Sequence, residues 1–213
     1  MANILIFGDS ITQGFWDAEA GWVARLRKIL DEKNLLPGHP FYFSIFNLGV
    51  SGNTSNDLIK RFEVETIARL DEDEESIIVF AIGINDSCYI EKEKRHNVDI
   101  NHFKRNLETL NTTARKYSDK IFYIGLTLVN EEITTPISWS ITKKSYKNDY
   151  INKYNRAIED FCKAKGITFV DILGKFKTKD YKSMLEDGLH PNTKGHELIF
   201  ETVSPYIIKA VGL

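Results

Sequence analysis

Only two cysteines occur among the 213 residues, Cys88 and Cys162. They form no Cys-x-x-Cys pair, which excludes a zinc ribbon and a disulfide framework and suits a reducing compartment. No apolar run is long enough to span a bilayer. No basic n-region and apolar h-region open the chain, so a cytoplasmic location is expected. There is no surplus of positive charge either. Twenty-eight Lys and Arg stand against 30 Asp and Glu, a formal net charge of -2, which argues against nucleic acid as the main partner. Repeats, low-complexity segments and domain boundaries are absent. Hydrophobic residues are 42% and charged residues 27%, so residues 1–213 are expected to form one soluble domain with a full core. Nothing in the sequence sets an oligomeric state.

What is present is an alternation of strands and helices. Ala2 to Phe7 is a short apolar run that reads as a buried strand. Trp22, Val23, Leu26, Ile29 and Leu30 mark a helix from Gly21 to Lys33. Phe41 to Leu48 is β-prone, and Leu58, Ile59, Phe62, Ile67 and Leu70 mark a second helix. Ser76 to Ile82 is a continuous apolar strand of the kind buried on both faces. The acidic run at 71–75 before it reads as a solvated loop. A third helix starts behind Asp99, a candidate cap. Lys120 to Leu128 and Ile167 to Ile172 are the fourth and fifth strands, separated by a helix that Gly166 closes. The last helix runs from Thr193 to Ala210, and Pro205 is expected to kink or divide it. This order implies βαβ units, right-handed crossovers and a parallel sheet covered on both faces. One connection, Val129 to Asp149, is too long for a plain turn. Loops of that size are usually functional, and its Trp139, Ile141 and Tyr146 can line a pocket or pack the loop down.

Four turns carry polar residues suited to chemistry. Gly8-Asp9-Ser10, Gly49 to Gly52 and Gly83-Ile84-Asn85-Asp86 each follow one of the first three strands, so a parallel sheet delivers them to one edge. The fourth, Asp187-Gly188-Leu189-His190, enters the last helix. A serine needs an adjacent base. Histidine has the right basicity, and a carboxylate can hold its tautomer. Backbone N–H groups at Gly52 and Ser10 and the Asn85 amide are candidate donors to an oxyanion. Each feature also has an ordinary reading. Ser10 or Asp9 can simply cap a helix, Asn85 can be a turn residue, Gly52 can supply a positive φ, and His190 can be a surface residue. Asp187 and His190 can also be half of a metal site. The other histidines, His39, His96, His102 and His196, stand at no tight ligand spacing, so no metal is expected.

Taken together, these blocks resemble the SGNH-hydrolase family, also called GDSL esterases and lipases. Gly8-Asp9-Ser10-Ile11 is similar to the opening block, with isoleucine in place of leucine. Gly52 matches the second block's glycine, Asn85 the asparagine of Gly-x-Asn-Asp, and Asp187 with His190 the closing Asp-x-x-His. The resemblance implies a three-layer α/β/α sandwich of flavodoxin-like form around a five-stranded parallel sheet. It implies no cofactor and no metal, Ser10 as nucleophile, and an oxyanion hole from Ser10, Gly52 and Asn85. Asp187 and His190 complete the catalytic set. The Gly-x-Ser-x-Gly elbow of the α/β-hydrolases is absent.

The expected function is hydrolysis of a small-molecule ester through an acyl-enzyme on Ser10. Asp9, next to Ser10, is expected to turn away from the site and hold backbone amides. Phe15, Trp16 and Trp139 are expected near the mouth, where they suit an apolar acyl or aromatic alcohol group. Acyl esters, thioesters, lysophospholipids and acetylated sugars all remain open as substrates. Two rivals are a non-catalytic binding module and a flavodoxin-like phosphate or nucleotide binder. The first is disfavoured because Ser10 and His190 are both present. The second lacks the Gly-x-x-x-x-Gly-Lys pattern and leaves Asp187 and His190 unexplained.

Overall fold

A computed structural model of the chain describes residues 1–71 and 73–213. Its strands are β1 (Ala2–Gly8), β2 (Phe43–Gly49), β3 (Glu75–Ala81), β4 (Tyr89–Ile90), β5 (Arg95–His96), β6 (Lys120–Ile124), β7 (Lys144–Ser145) and β8 (Thr168–Val170). Five of them form the central sheet in the order β2-β1-β3-β6-β8, all parallel. Every residue of the inner strand β1 is buried, and β3 is buried over most of its length. Both are near-continuous apolar runs because helices cover both faces.

The helices are α1 (Ser10–Gln13), α2 (Gly21–Asn34), α3 (Ser55–Ile67), α4 (Ile84–Ser87), α5 (Ile100–Ala114), α6 (Glu131–Thr134), α7 (Asn148–Lys165), α8 (Ile172–Lys177) and α9 (Thr193–Ala210). Helices α2, α9 and α8 pack on one another as one outer layer; α3, α5 and α7 form the other. Phe7, Phe62, Phe80 and Tyr123 run through the core as a chain of ring contacts 4.8 to 5.2 Å apart.

The strand order places a crevice. The chain leaves β1 towards β2 on one side and leaves β3 towards β6 on the other. The loops after β1 and β3 therefore diverge, and a ligand site opens between them at the strands' carboxyl ends. Ser10 and Asn85 begin at that opening.

The structure adjusts several expected boundaries. The second strand starts at Phe43 rather than Phe41. The fourth stops at Ile124 rather than Leu128, because the Leu126 amide donates to Asn155 Oδ1 at 2.8 Å and not to a strand. The fifth covers only Thr168–Val170, since Asp171 caps α8 by accepting from the Gly174 amide. Pro205 does not divide α9, which runs unbroken. The carbonyl left without a helical donor belongs to the exposed residue Glu201, where water can replace it. Asp99 does cap α5, and Gly166 closes α7 at φ 65°. Of the acidic run, Glu75 opens β3 and residue 72 lies outside the described residues.

A small antiparallel sheet, β5-β4-β7, escapes sequence reading because its strands are two residues long. It pins the long connection to the body of the protein through the Tyr89–Ser145 register. Among the described residues, no helix is long and apolar enough to cross a membrane.

Candidate active site

Ser10 opens α1 one residue after β1 ends. Gly8 has to be glycine, since a Cβ there would lie 2.7 Å from the Ala81 carbonyl oxygen and closer still to Thr12. Asp9 turns inward and caps α1, accepting the Ile11 amide at 3.0 Å, which leaves Ser10 at the crevice. The Ser10 Oγ lies 2.9 Å from His190 Nε2. His190 Nδ1 lies 2.7 Å from Asp187 Oδ2. The other carboxylate oxygen, Oδ1, accepts the amides of Leu189 at 3.0 Å and His190 at 2.8 Å. Burial by itself would raise the Asp187 carboxyl. The hydrogen bonds from the His190 ring and amide and from the Leu189 amide outweigh it and hold Asp187 well below the usual carboxylate range. An ionised Asp187 on Nδ1–H leaves Nε2 as the acceptor facing the serine hydroxyl, the arrangement that activates a nucleophile.

Two further donors border the same crevice. Gly52 has φ 77°, a conformation that favours glycine, and a Cβ there would meet nothing within 4 Å. Backbone conformation, rather than crowding, is what requires glycine at this position. Asn85 is 7% exposed. One Asn85 N–H donates to the Asn53 carbonyl at 3.1 Å, and Asn85 Oδ1 accepts from Tyr146 at 2.9 Å. Ser10, Ser51, Gly52, Asn85, Tyr146 and His190 all line one cleft of about 520 Å³. Its apolar wall comes from Ile133, Ile137, Trp139 and Leu189.

The model of the GDSL-like lipase/acylhydrolase family matches residues 6–198. The chain belongs to that family. It is 28% identical over 219 residues to an isoamyl acetate-hydrolyzing esterase 1 homolog of Bos taurus, covering 98% of this chain and 82% of the relative. The Homo sapiens counterpart is 24% identical with the same coverage. Among solved structures, a lipase/acylhydrolase from Enterococcus faecalis superposes with a TM-score of 0.76 at 21% identity, covering 99% of this chain and 97% of the other. An acetylxylan esterase from Geobacillus stearothermophilus superposes at 0.70 with 22% identity, covering 99% and 94%. Catalytic mutants of that esterase replace a serine, an aspartate and a histidine by alanine. Membership of the family and likeness to these esterases support ester hydrolysis as the general activity of this GDSL-family protein.

In this GDSL-family protein the structure brings Ser10, Asp187, His190, Gly52 and Asn85 to one place. Trp139 is among the residues that line the cleft, whereas Phe15 and Trp16 stand beside it. Phe15 lies against the His190 ring with centroids 5.9 Å apart, and the Trp16 indole Nε1–H donates to Asp187 Oδ2 at 3.1 Å. Both pack against the histidine–aspartate pair, at the edge of the cleft that Asp187 and His190 line. Tyr146 neither packs the loop alone nor merely lines a pocket. It holds Asn85, a contact across 61 positions of sequence that no local pattern reveals.

A second buried carboxylate stands behind the site. Asp86 is fully buried and accepts the Ser55 amide at 3.0 Å on both oxygens, and it is hydrogen-bonded to the Ser55 hydroxyl. Burial pushes its carboxyl up to about 7 against the Ser55 hydrogen bonds. Burial likewise pushes Asp9 up to about 6 against the Ile11 amide and the nearby His190. Among the described residues, no group of three or more His, Cys, Asp or Glu is placed to hold a metal ion.

Proposed function

We propose that this protein hydrolyses small carboxylic esters through an acyl-enzyme on Ser10. The observation that carries the reading is the unbroken contact Ser10 Oγ–His190 Nε2–Asp187 Oδ2, at 2.9 and 2.7 Å, joining residues 180 positions apart. The serine, histidine and aspartate altered in the catalytic mutants of the acetylxylan esterase support it.

In this mechanism Ser10 Oγ attacks the ester carbonyl carbon while His190 Nε2 takes the hydroxyl proton. Asp187 stabilises the resulting imidazolium. The tetrahedral oxyanion is held by the N–H groups of Ser10 and Gly52 and by the Asn85 amide. The C–O bond to the alcohol breaks, and His190 returns the proton to the departing oxygen. Water then attacks the acyl-serine with His190 again as base, releasing the acid and restoring Ser10.

The substrate side is a cleft of about 520 Å³ with one apolar wall. The relatives' names refer to isoamyl acetate and acetylxylan, so acetyl esters head the set of substrates to be tried. A panel of p-nitrophenyl acyl esters of rising chain length, with acetylated sugar and acyl-thioester controls, ranks them.

The nucleophile is tested by labelling with an organophosphonate, followed by intact-mass measurement and peptide mapping. A single adduct on Ser10 is expected. A label on Ser51 or Cys88, or no label, sinks the assignment.

A further inference from the structure

Trp16 stands in a conformation that a tryptophan rarely adopts. Its φ is 63°, in the left-handed region, where a bulky side chain is an outlier. The residue is 56% exposed, so burial does not account for that backbone. The neighbouring contacts do impose it. The Phe15 amide donates to the Ser10 carbonyl at 3.1 Å, and the Phe15 carbonyl accepts from His196 Nε2 at 3.1 Å. On the other side, Asp17 is paired with Arg25 and accepts the Thr193 hydroxyl at 3.0 Å and the Gly21 amide at 3.1 Å. The segment is therefore tied to α1, α2 and α9 on both sides of Trp16. Strain of this kind persists only where the surroundings over-determine it, and it concentrates at functional sites.

The outcome of that bracing is one hydrogen bond. The indole Nε1–H reaches Asp187 Oδ2 at 3.1 Å, the same oxygen that His190 Nδ1 meets at 2.7 Å. With two backbone amides on Oδ1, each carboxylate oxygen has two donors. A carboxylate offers about four lone-pair sites, so all of them are occupied by fixed groups of the protein. Asp187 is 40% exposed, and without the indole the second site on Oδ2 would go to mobile solvent.

We propose that Trp16 is a positioning residue of the site, whose indole N–H fixes the Asp187 carboxylate so that His190 keeps Nε2 on Ser10. The inference rests on the reading of Asp187 as the acid of the catalytic set. In this role Trp16 acts through Asp187.

Trp16→Phe keeps an aromatic ring and removes the donor. The expected result is a fall in kcat of about tenfold with KM within about twofold, the scale of one lost charge-assisted hydrogen bond. In an Asp187→Asn background the same change should cost nothing further, because the two act as a unit. An unchanged kcat in folded Trp16→Phe, or a full second loss in the double variant, overturns the inference. Should Trp16→Phe fail to fold, the wild-type protein with ¹⁵N-labelled tryptophan supplies the measurement. The Trp16 indole N–H resonance should lie downfield and move upfield in Asp187→Ala, and a resonance indifferent to Asp187→Ala overturns it equally. The two readings separate cleanly. Asp187→Asn inactive with Trp16→Phe silent removes this inference alone, whereas an active Asp187→Asn removes both.

Discussion

Tyr146 donates its hydroxyl proton to Asn85 Oδ1 at 2.9 Å, while an Asn85 N–H is held on the Asn53 carbonyl at 3.1 Å. A backbone carbonyl can only accept, so the second contact fixes which end of the amide carries nitrogen. The remaining N–H belongs to a side chain that borders the cleft beside Ser10 and Gly52.

Removing that donor should therefore be felt in the chemical step. Asn85→Ala is expected to lower kcat by roughly 10²–10³-fold with little change in KM, the usual loss of one oxyanion donor. Tyr146→Phe should lower kcat by about tenfold, because the donor remains and only its orientation loosens. Steady-state kinetics on one p-nitrophenyl ester would measure both. Equal activity of Asn85→Ala and wild type would reduce Asn85 to a turn residue.

The two carboxylates nearest Ser10 and His190 should separate sharply. Asp187→Asn is expected to cut kcat by up to about 10⁴-fold, since an amide favours the wrong imidazole tautomer. Asp9 caps α1 from inside the protein, and asparagine caps a helix about as well as aspartate. Asp9→Asn should keep kcat within about tenfold of wild type. The reverse pattern, measured on folded variants, would exchange the two roles.

Stability should decline with rising pH because of Asp86 and Asp9. Burial raises the folded-state pKa of Asp86 to about 7 and of Asp9 to about 6, from 3.8. Between those limits the folded protein binds more protons than the unfolded chain. This contribution is complete below about pH 4 and is lost as pH rises through 6 and 7. For Asp86 it is at most on the order of 4 kcal/mol. Urea melts at pH 5 and pH 8 should show a smaller gap for Asp86→Asn than for wild type. A gap of equal size in both proteins would contradict the buried-carboxylate account.

The ion pair of Asp17 and Arg25 behaves in the opposite sense. Burial opposes ionisation of Asp17, but the Arg25 hydrogen bond and those from Glu19 and Thr193 bring its carboxyl down to about 2. Its contribution is present above 3.8 and is lost as pH falls through about 2. Arg25→Ala strands a buried carboxylate and should cost about 3–5 kcal/mol at neutral pH, read as a lower midpoint in chemical denaturation. A loss below about 1 kcal/mol would show that the pair carries little of the fold.

Legibility from sequence followed distance along the chain. The continuous apolar runs of β1 and β3 and the stripe of α5 announce themselves because burial imposes a period on neighbouring residues. The Asp187 and His190 spacing is local as well, since one short turn bridges them. The two-residue strands at Tyr89, Arg95 and Lys144 left no period to read. The hydrogen bonds of Trp16 and Tyr146 were not legible, because composition gives a side chain's type but not its direction. Their polar tips point to partners 171 and 61 residues away, and only the folded chain shows that.

The connection that carries Ile133, Ile137 and Trp139 into the cleft wall also carries Tyr146 to Asn85. One stretch of chain thus shapes the cleft and also steadies Asn85 at its border. On the function proposed above, selectivity and turnover are then physically linked. Exchanging the whole stretch for that of a relative would alter both together, whereas single changes at Ile133 or Trp139 leave the Tyr146 anchor in place and offer a route to new selectivity at intact rate.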